Sequence, residues 1–276
     1  MRLYLVLLFL LLGLCPVLGQ TPTETNKPSG KPPRALPVSA DELKAAATAD
    51  AVPTATPTEG VTVRWYGHGF VYLTSSVGIR AAIDPFGPET VKYKFPDHLS
   101  ADLVLVSHES EDHCAADLIF GNPLIFRSVM AVGLQRANGI PFYGVALQKD
   151  AGGQGGANTA FKISFDGVSF CYLGQITRPL LAQEKVQLGH ADVVFLPVGL
   201  TTLTPTELNQ IAIDLGSKII IPINYKTDAS GALTLRSLSE YLDACKLPLR
   251  KFDSNQILLT RATLPENPMI YLLKSP

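Results

Sequence analysis

The sequence predicts an α/β fold in which two β-sheets are enclosed by helices. Two observations carry this prediction. A β-meander begins near residue 61, and runs of β-type residues then alternate with helical segments toward the C-terminus. With 276 residues, 46% of them hydrophobic, the chain is long enough to bury a large core. No internal repeat of about 20 to 50 residues is visible.

The N-terminus predicts a secretory signal peptide over residues 1–19. Met1-Arg2 precede the apolar run Leu3 to Leu14, and Val17-Leu18-Gly19 supplies the residues expected before a cleavage point. The protein is therefore expected in the periplasm or outside the cell, with no membrane insertion after cleavage. An uncleaved membrane anchor is an alternative, and so is a lipid on Cys15, although Leu14 stands where a small residue is needed.

Residues 20–60 predict an extended tether. They are rich in Pro, Thr, Ala and Lys and contain almost no large apolar side chains, so they cannot bury enough surface to offset the entropy of ordering. One short helix is predicted after the capping box Ser39-Ala40-Asp41-Glu42.

Charge and cysteine content exclude two classes of protein. The formal net charge of −1 provides no basic surplus, so no nucleic-acid partner is expected. Three cysteines remain after signal cleavage, and an odd, widely spaced set cannot form a closed disulfide framework. The fold must then depend on its core.

The globular domain is predicted to span residues 61–276. Its first three strands form the meander, separated by Gly-containing turns. The predicted strands are Val61 to Trp65, Val71 to Thr74, Ile79 to Ile83, Leu103 to Val106, Ala160 to Phe165, Ser169 to Leu173, Val193 to Pro197, Lys218 to Ile223 and Met269 to Leu273.

Two helices are predicted between the later strands. The first begins after Thr204, because Pro205 suits the first helical position and Glu207 completes a capping box, and it ends at Gly216. The second runs from about Leu235 to Cys245, with an apolar side formed by every third or fourth residue.

The segment after the fourth strand carries the chemistry. The apolar run Leu103 to Val106 delivers His108, Asp112 and His113 to a loop at its end. Rigid scaffolds present catalytic and metal-binding groups at such loops. The pattern predicts a metal-site loop.

Seven segments, in order, carry a family resemblance across residues 61–276: Trp65 to Phe70, Ile83 to Phe86, Ala101 to His113, Gly155 to Thr159, Tyr172 to Gly174, Leu196 to Gly199, and Ile221 to Tyr225. The domain resembles the metallo-β-lactamase-fold hydrolases, particularly the lactonase-like branch. This resemblance implies a four-layer αββα sandwich with a metal site at one edge of the two sheets.

The resemblance also shows where the chain departs from its family. The family loop reads His-x-His-x-Asp-His, and here Ser110 takes the place of the second histidine. Lys149 stands near another expected ligand, Gln175 replaces a bridging carboxylate, and Asn224 replaces the last histidine. The neutral serine hydroxyl is a far poorer zinc ligand than imidazole.

The surviving set predicts at most one weakly held Zn²⁺. His108, Asp112 and His113 are the remaining metal ligands, with Asn224 as a weaker fourth, and a di-zinc centre is not expected. Asp112 is also the candidate catalytic residue, as the group that would orient water. Lys149 is hypothesised to place a fixed positive charge beside Asp112 and to oppose cation binding.

Two further residues are predicted to surround this loop. His68 lies in a Gly-His-Gly turn and either lines the site or makes a structural hydrogen bond there. Asp84 precedes Pro85 and resembles the family aspartate that orients a ligand histidine, although capping of the turn is the simpler role.

Two functional hypotheses follow. In the first, the substitutions have impaired di-metal catalysis, and the exported domain binds an unidentified small molecule or protein without turnover. In the second, it is an active single-metal hydrolase that uses a metal-bound hydroxide on an ester, lactone or phosphoester. Serine chemistry at Ser110 is a third reading, which no Gly-x-Ser-x-Gly pattern supports.

Overall fold

The computed structural model describes residues 59–147 and 157–276. The predicted signal peptide with Cys15, residues 20–58 of the predicted tether with its short helix, and Lys149 lie outside the described residues. Within the described ranges, no helix has both the length and the apolar character needed to cross a membrane.

The first sheet has six strands and is mixed. The sheet order is β13-β1-β2-β3-β4-β5, with β1 Val61–Gly67, β2 Phe70–Thr74, β3 Arg80–Ile83, β4 Leu103–Val106, β5 Leu124–Arg127 and β13 Gln256–Leu259. The pairs from β13 to β3 are antiparallel, whereas β3 pairs with β4, and β4 with β5, in parallel.

The second sheet has eight strands and is also mixed. Its order is β12-β14-β11-β10-β9-β8-β7-β6, with β6 Gly133–Ala137, β7 Ile140–Leu147, β8 Asn158–Phe165, β9 Val168–Tyr172, β10 Val193–Pro197, β11 Ile219–Ile223, β12 Leu249–Lys251 and β14 Met269–Leu272. Strands β9, β10 and β11 are parallel, so their carboxyl ends meet at one edge of this sheet.

The main core lies between the sheets. Alternate residues of β1, including Val63 and Trp65, face inward and join one buried cluster with Phe161 and Phe195 of the second sheet. Every residue of β10 and β11 is buried. Continuous apolar runs of this kind are typical of parallel strands covered on both faces.

The other face of the six-stranded sheet forms a smaller core. Phe70 and Tyr72 of β2 pack there with Phe86, Val91 and Ile119. In the described residues, the covering layer on this face is the irregular stretch 85–101 and the 3-10 helix Ala116–Leu118, without an α-helix.

Three α-helices are present in the described residues: α1 Ala182–Leu188, α2 Pro205–Asp214 and α3 Leu238–Ala244. Helix α1 contacts β7, and α2 contacts β10 and α3, so all three belong to the side of the eight-stranded sheet. The predicted α/β class with two sheets is therefore confirmed.

The predicted capping box of α2 is confirmed, because Thr204 Oγ1 accepts from Glu207 N at 3.2 Å and the Glu207 carboxylate accepts from Thr204 N at 2.8 Å. Helix α3 begins three residues later than predicted. Ser237 caps it by accepting a hydrogen bond from Glu240 N at 3.3 Å. Residue 235 therefore lies in the loop before the helix.

The predicted strands are all found, with bounds shifted by at most two residues. Strands β5, β6, β7, β12 and β13 and helix α1 were not predicted. Strands β5 and β12 are short with exposed or half-buried residues. Strands β6 and β7 contain Gly133, Pro141 and Gly144, which are turn signals in sequence.

Candidate metal centre

Parallel pairing of β3 and β4 brings Asp84 next to the predicted metal loop. Asp84 follows β3 directly, and its N–H donates to Leu105 O at 2.9 Å. The Ser107 N–H, at the end of β4, donates to Asp84 Oδ1 at 2.7 Å. The first turn of the loop is therefore anchored to a carboxylate from the neighbouring strand.

Asp84 is fully buried and accepts four hydrogen bonds. Besides the Ser107 N–H, its donors are Ser107 Oγ, Tyr172 OH at 2.8 Å and His113 Nδ1 at 3.0 Å. Burial alone would raise the pKa of Asp84, but the hydrogen bond and charge of His113 hold it below its usual value. The carboxylate fixes the ring of His113.

His113 turns its other nitrogen toward the cavity. Burial acts to lower the pKa of His113, yet the hydrogen bond to Asp84 outweighs it and the pKa is raised. The Nε2 atom lies 3.6 Å from Asp112 Oδ2 and 3.2 Å from Asn224 Nδ2. A carboxylate behind a histidine is the usual arrangement that orients a metal-binding imidazole.

Asp112 is held by His68 and Ser110. His68 Nε2 lies 2.9 Å from Asp112 Oδ2, and Ser110 Oγ donates to Asp112 Oδ1. Burial would raise the pKa of Asp112, but these two hydrogen bonds and the charge of His113 lower it strongly. Asp112 is thus ionised at neutral pH, and Ser110 acts as its donor.

His68 enters from the turn between β1 and β2. Its backbone oxygen accepts from Trp65 Nε1 at 2.9 Å and from Asn224 N at 3.0 Å, which fixes the turn against β11. Burial lowers the pKa of His68, so the ring is neutral at pH 7, the form in which imidazole binds metals. Its Nδ1 is buried without a hydrogen-bond partner among the described residues.

Three site residues have left-handed backbone conformations. His68, Asp84 and Asn224 have φ angles of 47°, 48° and 52°. Such conformations cost non-glycine residues energy and cluster at functional sites, where surrounding contacts hold them.

The predicted ligands His108, Asp112 and His113 fall into two overlapping groups. His68, Asp112 and His113 have ligating atoms within 4.8 Å of one another, and so do Asp84, His108 and His113. His108 Nδ1 contacts Ser107 Oγ at 2.8 Å, and its ring centroid lies 4.4 Å from that of His113. His108 therefore lies on the Asp84 side of His113, away from Asp112.

Gln175 lies at the edge of the site. Its side chain is exposed, and its N–H donates to Asn158 Oδ1 at 3.0 Å. Asn158 also donates to Leu173 O at 3.0 Å, which ties β8 to the end of β9.

A cavity of about 200 Å³ opens above these groups. His68, Asp112, His113 and Asn224 line it together with residues that follow β9, β10 and β11. Ligands of α/β folds bind at the carboxyl ends of parallel strands, as they would here.

Sequence reasoning missed three roles. Ser107 and Tyr172 were not identified as donors to Asp84, and His68 was not identified as the direct partner of Asp112. Tyr172 is far from Asp84 in sequence, and a tyrosine at a strand end carries no motif. The Gly-His-Gly turn indicated that His68 is near the site, but only the tertiary structure shows that Asp112 is its hydrogen-bond partner.

The donor set fits one metal ion and not two. Ligand atoms of a tetrahedral zinc lie about 3.4 Å apart, and the distances from Asp112 Oδ2 to His68 Nε2 and His113 Nε2 are 2.9 and 3.6 Å. Asn224 Oδ1 is buried with no hydrogen-bond partner in the described part of the chain. In the second group of potential ligands, Asp84, His108 and His113, the Asp84 carboxylate already accepts four hydrogen bonds. The Ser110 hydroxyl donates to Asp112.

Comparison with known proteins supports this interpretation of the fold. Residues 62–224 match the sequence family described as the beta-lactamase superfamily domain. No curated protein matches the chain significantly.

Solved structures are also similar. A candidate Zn-dependent hydrolase of the metallo-β-lactamase superfamily from Thermotoga maritima is 26% identical, with a TM-score of 0.65 over 78% of this chain and 100% of its own. A candidate metal-dependent hydrolase from Parabacteroides distasonis has 19% identity and a TM-score of 0.55, over 78% of this chain and 94% of its own. With its two mixed sheets, its His-Asp loop and a family match over more than half its length, the chain belongs to the metallo-β-lactamase superfamily.

Proposed function

We propose that this protein is a hydrolase that uses a single divalent metal ion, with zinc as the leading candidate. One observation carries the proposal: His68, Asp112 and His113 present ligating atoms within 4.8 Å of one another at the floor of the cavity. Two imidazoles and one carboxylate with an open position are a typical catalytic zinc set. His68 here compensates for a histidine that the loop lacks at Ser110.

A bound metal would supply Lewis-acid polarisation of the substrate and of water. The chain's own residues have separate tasks. Asp84 accepts a hydrogen bond from His113 Nδ1 and fixes the ring, so that Nε2 faces the cavity and would bind the ion after losing its proton. Ser110 donates to Asp112 Oδ1, and Oδ2, which contacts His68 Nε2 at 2.9 Å, would bind the ion in place of that contact. The ionised Asp112 also orients water near the substrate. Asn224 lines the same cavity with Nδ2 at 3.2 Å from His113 Nε2, and with its amide in the opposite orientation Oδ1 would serve as a fourth, weaker oxygen ligand.

Zinc titration tests the proposal. The unmodified protein is expected to bind about one equivalent of Zn²⁺ with a Kd below roughly 1 μM. His68→Ala, Asp112→Ala and His113→Ala are each expected to weaken binding at least about tenfold, since losing a ligand costs no less than losing a supporting residue. Calorimetry and elemental analysis give the affinity and stoichiometry.

His98→Ala is the matched control for these variants, because His98 is exposed and lies outside the cavity lining. It should leave zinc affinity unchanged. The proposed metal site is wrong if the unmodified protein binds no zinc at micromolar concentration, or if the His68→Ala variant binds zinc as tightly as the parent. Zinc-dependent cleavage of p-nitrophenyl acetate, lost on chelation and restored by zinc, tests the activity.

A second candidate function is a non-catalytic binding domain. The observation that favours it is that His68 and Ser110 already satisfy Asp112 by direct hydrogen bonds. Ser110→His combined with Asn224→His distinguishes the candidates. For a binding domain, stoichiometric metal appears only in the double variant. For a single-metal hydrolase, the unmodified protein already contains one equivalent, measured by elemental analysis after purification without chelator.

A further inference from the structure

A strip of exposed apolar side chains lies along the edge strands of both sheets. Six large residues between the start of β5 and the middle of β6 form this apolar strip, with exposed fractions from 40% to 78%: Leu124, Ile125, Val129, Met130, Val132 and Leu134. Together they expose roughly 600 Å² of apolar surface, the upper end of what a monomeric protein leaves in one patch. None of the six lines the cavity of the metal centre.

The apolar strip surrounds unpaired strand edges. Strand β5 ends the six-stranded sheet and β6 ends the eight-stranded sheet, and within the described residues no strand pairs with the outer side of either. The 3-10 helix Ser128–Ala131 connects them, with Ser128 and Ala131 buried and Val129 and Met130 exposed. Edge strands are normally protected by charges, proline or bulges, and β6 contains one charge, Arg136. This edge is therefore suited to pairing with a further strand.

The charges near the apolar strip do not favour a lipid surface. Peripheral membrane sites combine apolar residues with many lysines and arginines. Among residues 116–140 the charged side chains are Asp117, Arg127 and Arg136. Arg127 pairs with Glu109 at 2.6 Å, and Arg136 Nη1 donates to Gly139 O at 3.1 Å. The strip has no basic cluster that would attract anionic headgroups.

The N-terminal tether is also a poor partner for this edge. Residues 20–58 are rich in proline and contain almost no large apolar side chains. Proline cannot donate a hydrogen bond to a neighbouring strand, and small polar residues would leave the apolar strip uncovered. A second copy of the chain, in contrast, brings both an identical strand edge and an identical apolar strip.

We propose that β6 pairs antiparallel with β6 of a second copy, across a two-fold axis at Gln135, and joins the two eight-stranded sheets. Such an interface uses the same surface on both subunits. In this register Gln135 lies opposite Gln135 of the partner subunit, and Arg136 lies opposite Leu134 of the partner subunit. The two guanidiniums are not directly opposed, and the aliphatic stem of each covers a leucine.

The size of the apolar strip fits this pairing. A stable interface buries about 800 Å² on each partner, of which the strip supplies roughly 600 Å². Arg136 and the backbone edge of β6 add the polar part. The proposal concerns a surface outside the cavity, so it does not depend on the proposed hydrolase function.

Sedimentation of the purified protein tests the dimer. The parent is expected to have twice the mass of one chain at micromolar concentration. Met130→Glu combined with Leu134→Glu is expected to raise the dimer dissociation constant at least about tenfold, because the added carboxylates repel one another across the interface. Val77→Glu is the matched control. Val77 is 77% exposed, like Met130 at 78% and Leu134 at 73%, but lies between β2 and β3, so this variant should remain dimeric.

Cysteine cross-linking tests the register. Gln135→Cys is expected to form a covalent dimer under oxidising conditions, because directly opposed residues lie about 4.5–5.5 Å apart, within the reach of a disulfide. Arg136→Cys should not cross-link, since residues 136 of the two copies would be diagonal neighbours about 7–8 Å apart. The parent, with its native cysteines, sets the background in the same gel.

Three results would overturn the proposal. The first is a monomeric parent, including a monomer that floats with phosphatidylcholine vesicles and so uses the strip on a lipid surface. The second is a double glutamate variant that dimerises as tightly as the parent, with the melting temperature confirming that it is folded. The third is a dimer in which Gln135→Cys cross-links no better than Arg136→Cys.

Discussion

Asp84→Ala is expected to lower the free energy of unfolding by about 3–5 kcal/mol, the range seen when one partner of a buried charged pair is removed. The physical reason is that four donors, from Ser107, Tyr172 and His113, converge on this fully buried carboxylate. Without it they are left unsatisfied in the protein interior. For a domain of this size, the melting temperature should fall by about 6–20 °C. Calorimetry and urea denaturation measure both quantities.

Two further variants sharpen this experiment. Asp97→Ala is the control, because Asp97 is exposed and, within the described part of the chain, forms an ion pair with Lys94 alone, at 3.2 Å; its effect should stay within about 0.5 kcal/mol. Asp84→Asn keeps the shape and removes the charge. A melting temperature for Asp84→Ala within a few degrees of the parent would contradict the role assigned to this network.

The same carboxylate predicts a pH dependence. Because the folded pKa of Asp84 is held below 3.8, its stabilising contribution is present above that pH and is lost as the pH falls through the folded pKa. The difference in unfolding free energy between the parent and Asp84→Asn should therefore be largest near neutral pH and narrow below pH 3.8.

Gly199→Ala is expected to destabilise the protein by about 3 kcal/mol or more, at the upper end of the cost of overpacking. A Cβ at this position would lie 2.0 Å from the backbone oxygen of Asn224 and 2.6 Å from the Cα of Tyr225. Both contacts are with backbone, so the ends of β10 and β11 would have to separate. Asn224 would move with them, and zinc affinity should fall together with stability.

Gly78→Ala separates this clash from conformational strain. Gly78 has a φ of +84° but no atom within 4 Å of the added Cβ, so only the left-handed backbone is penalised. That cost is about 1–2 kcal/mol, with no change in zinc affinity expected. Equal effects of the two substitutions would show that the Gly199 contact with Asn224 is not important.

The sequence identified the elements whose residues carry strong local signals. Strands β10 and β11 are continuous apolar runs, and α2 has a capping box and a proline at its first position, so all three elements were predicted to within two residues. Strands β5 and β12 were missed because they lie near sheet edges with exposed or half-buried side chains, where no alternation distinguishes a strand from a loop.

For the site, too, some features follow from the sequence and others only from the tertiary structure. By itself, the sequence determined that a loop with His108, Asp112 and His113 follows β4, and that Ser110, Gln175 and Asn224 depart from the family pattern. Only the tertiary structure decided which of these groups meet. It pairs Asp112 with His68, 44 residues earlier, and Asp84 with Tyr172, 88 residues later. Local residue patterns specify strands and turns, whereas the partners of a buried carboxylate are set by sheet pairing between distant segments, which no local pattern records.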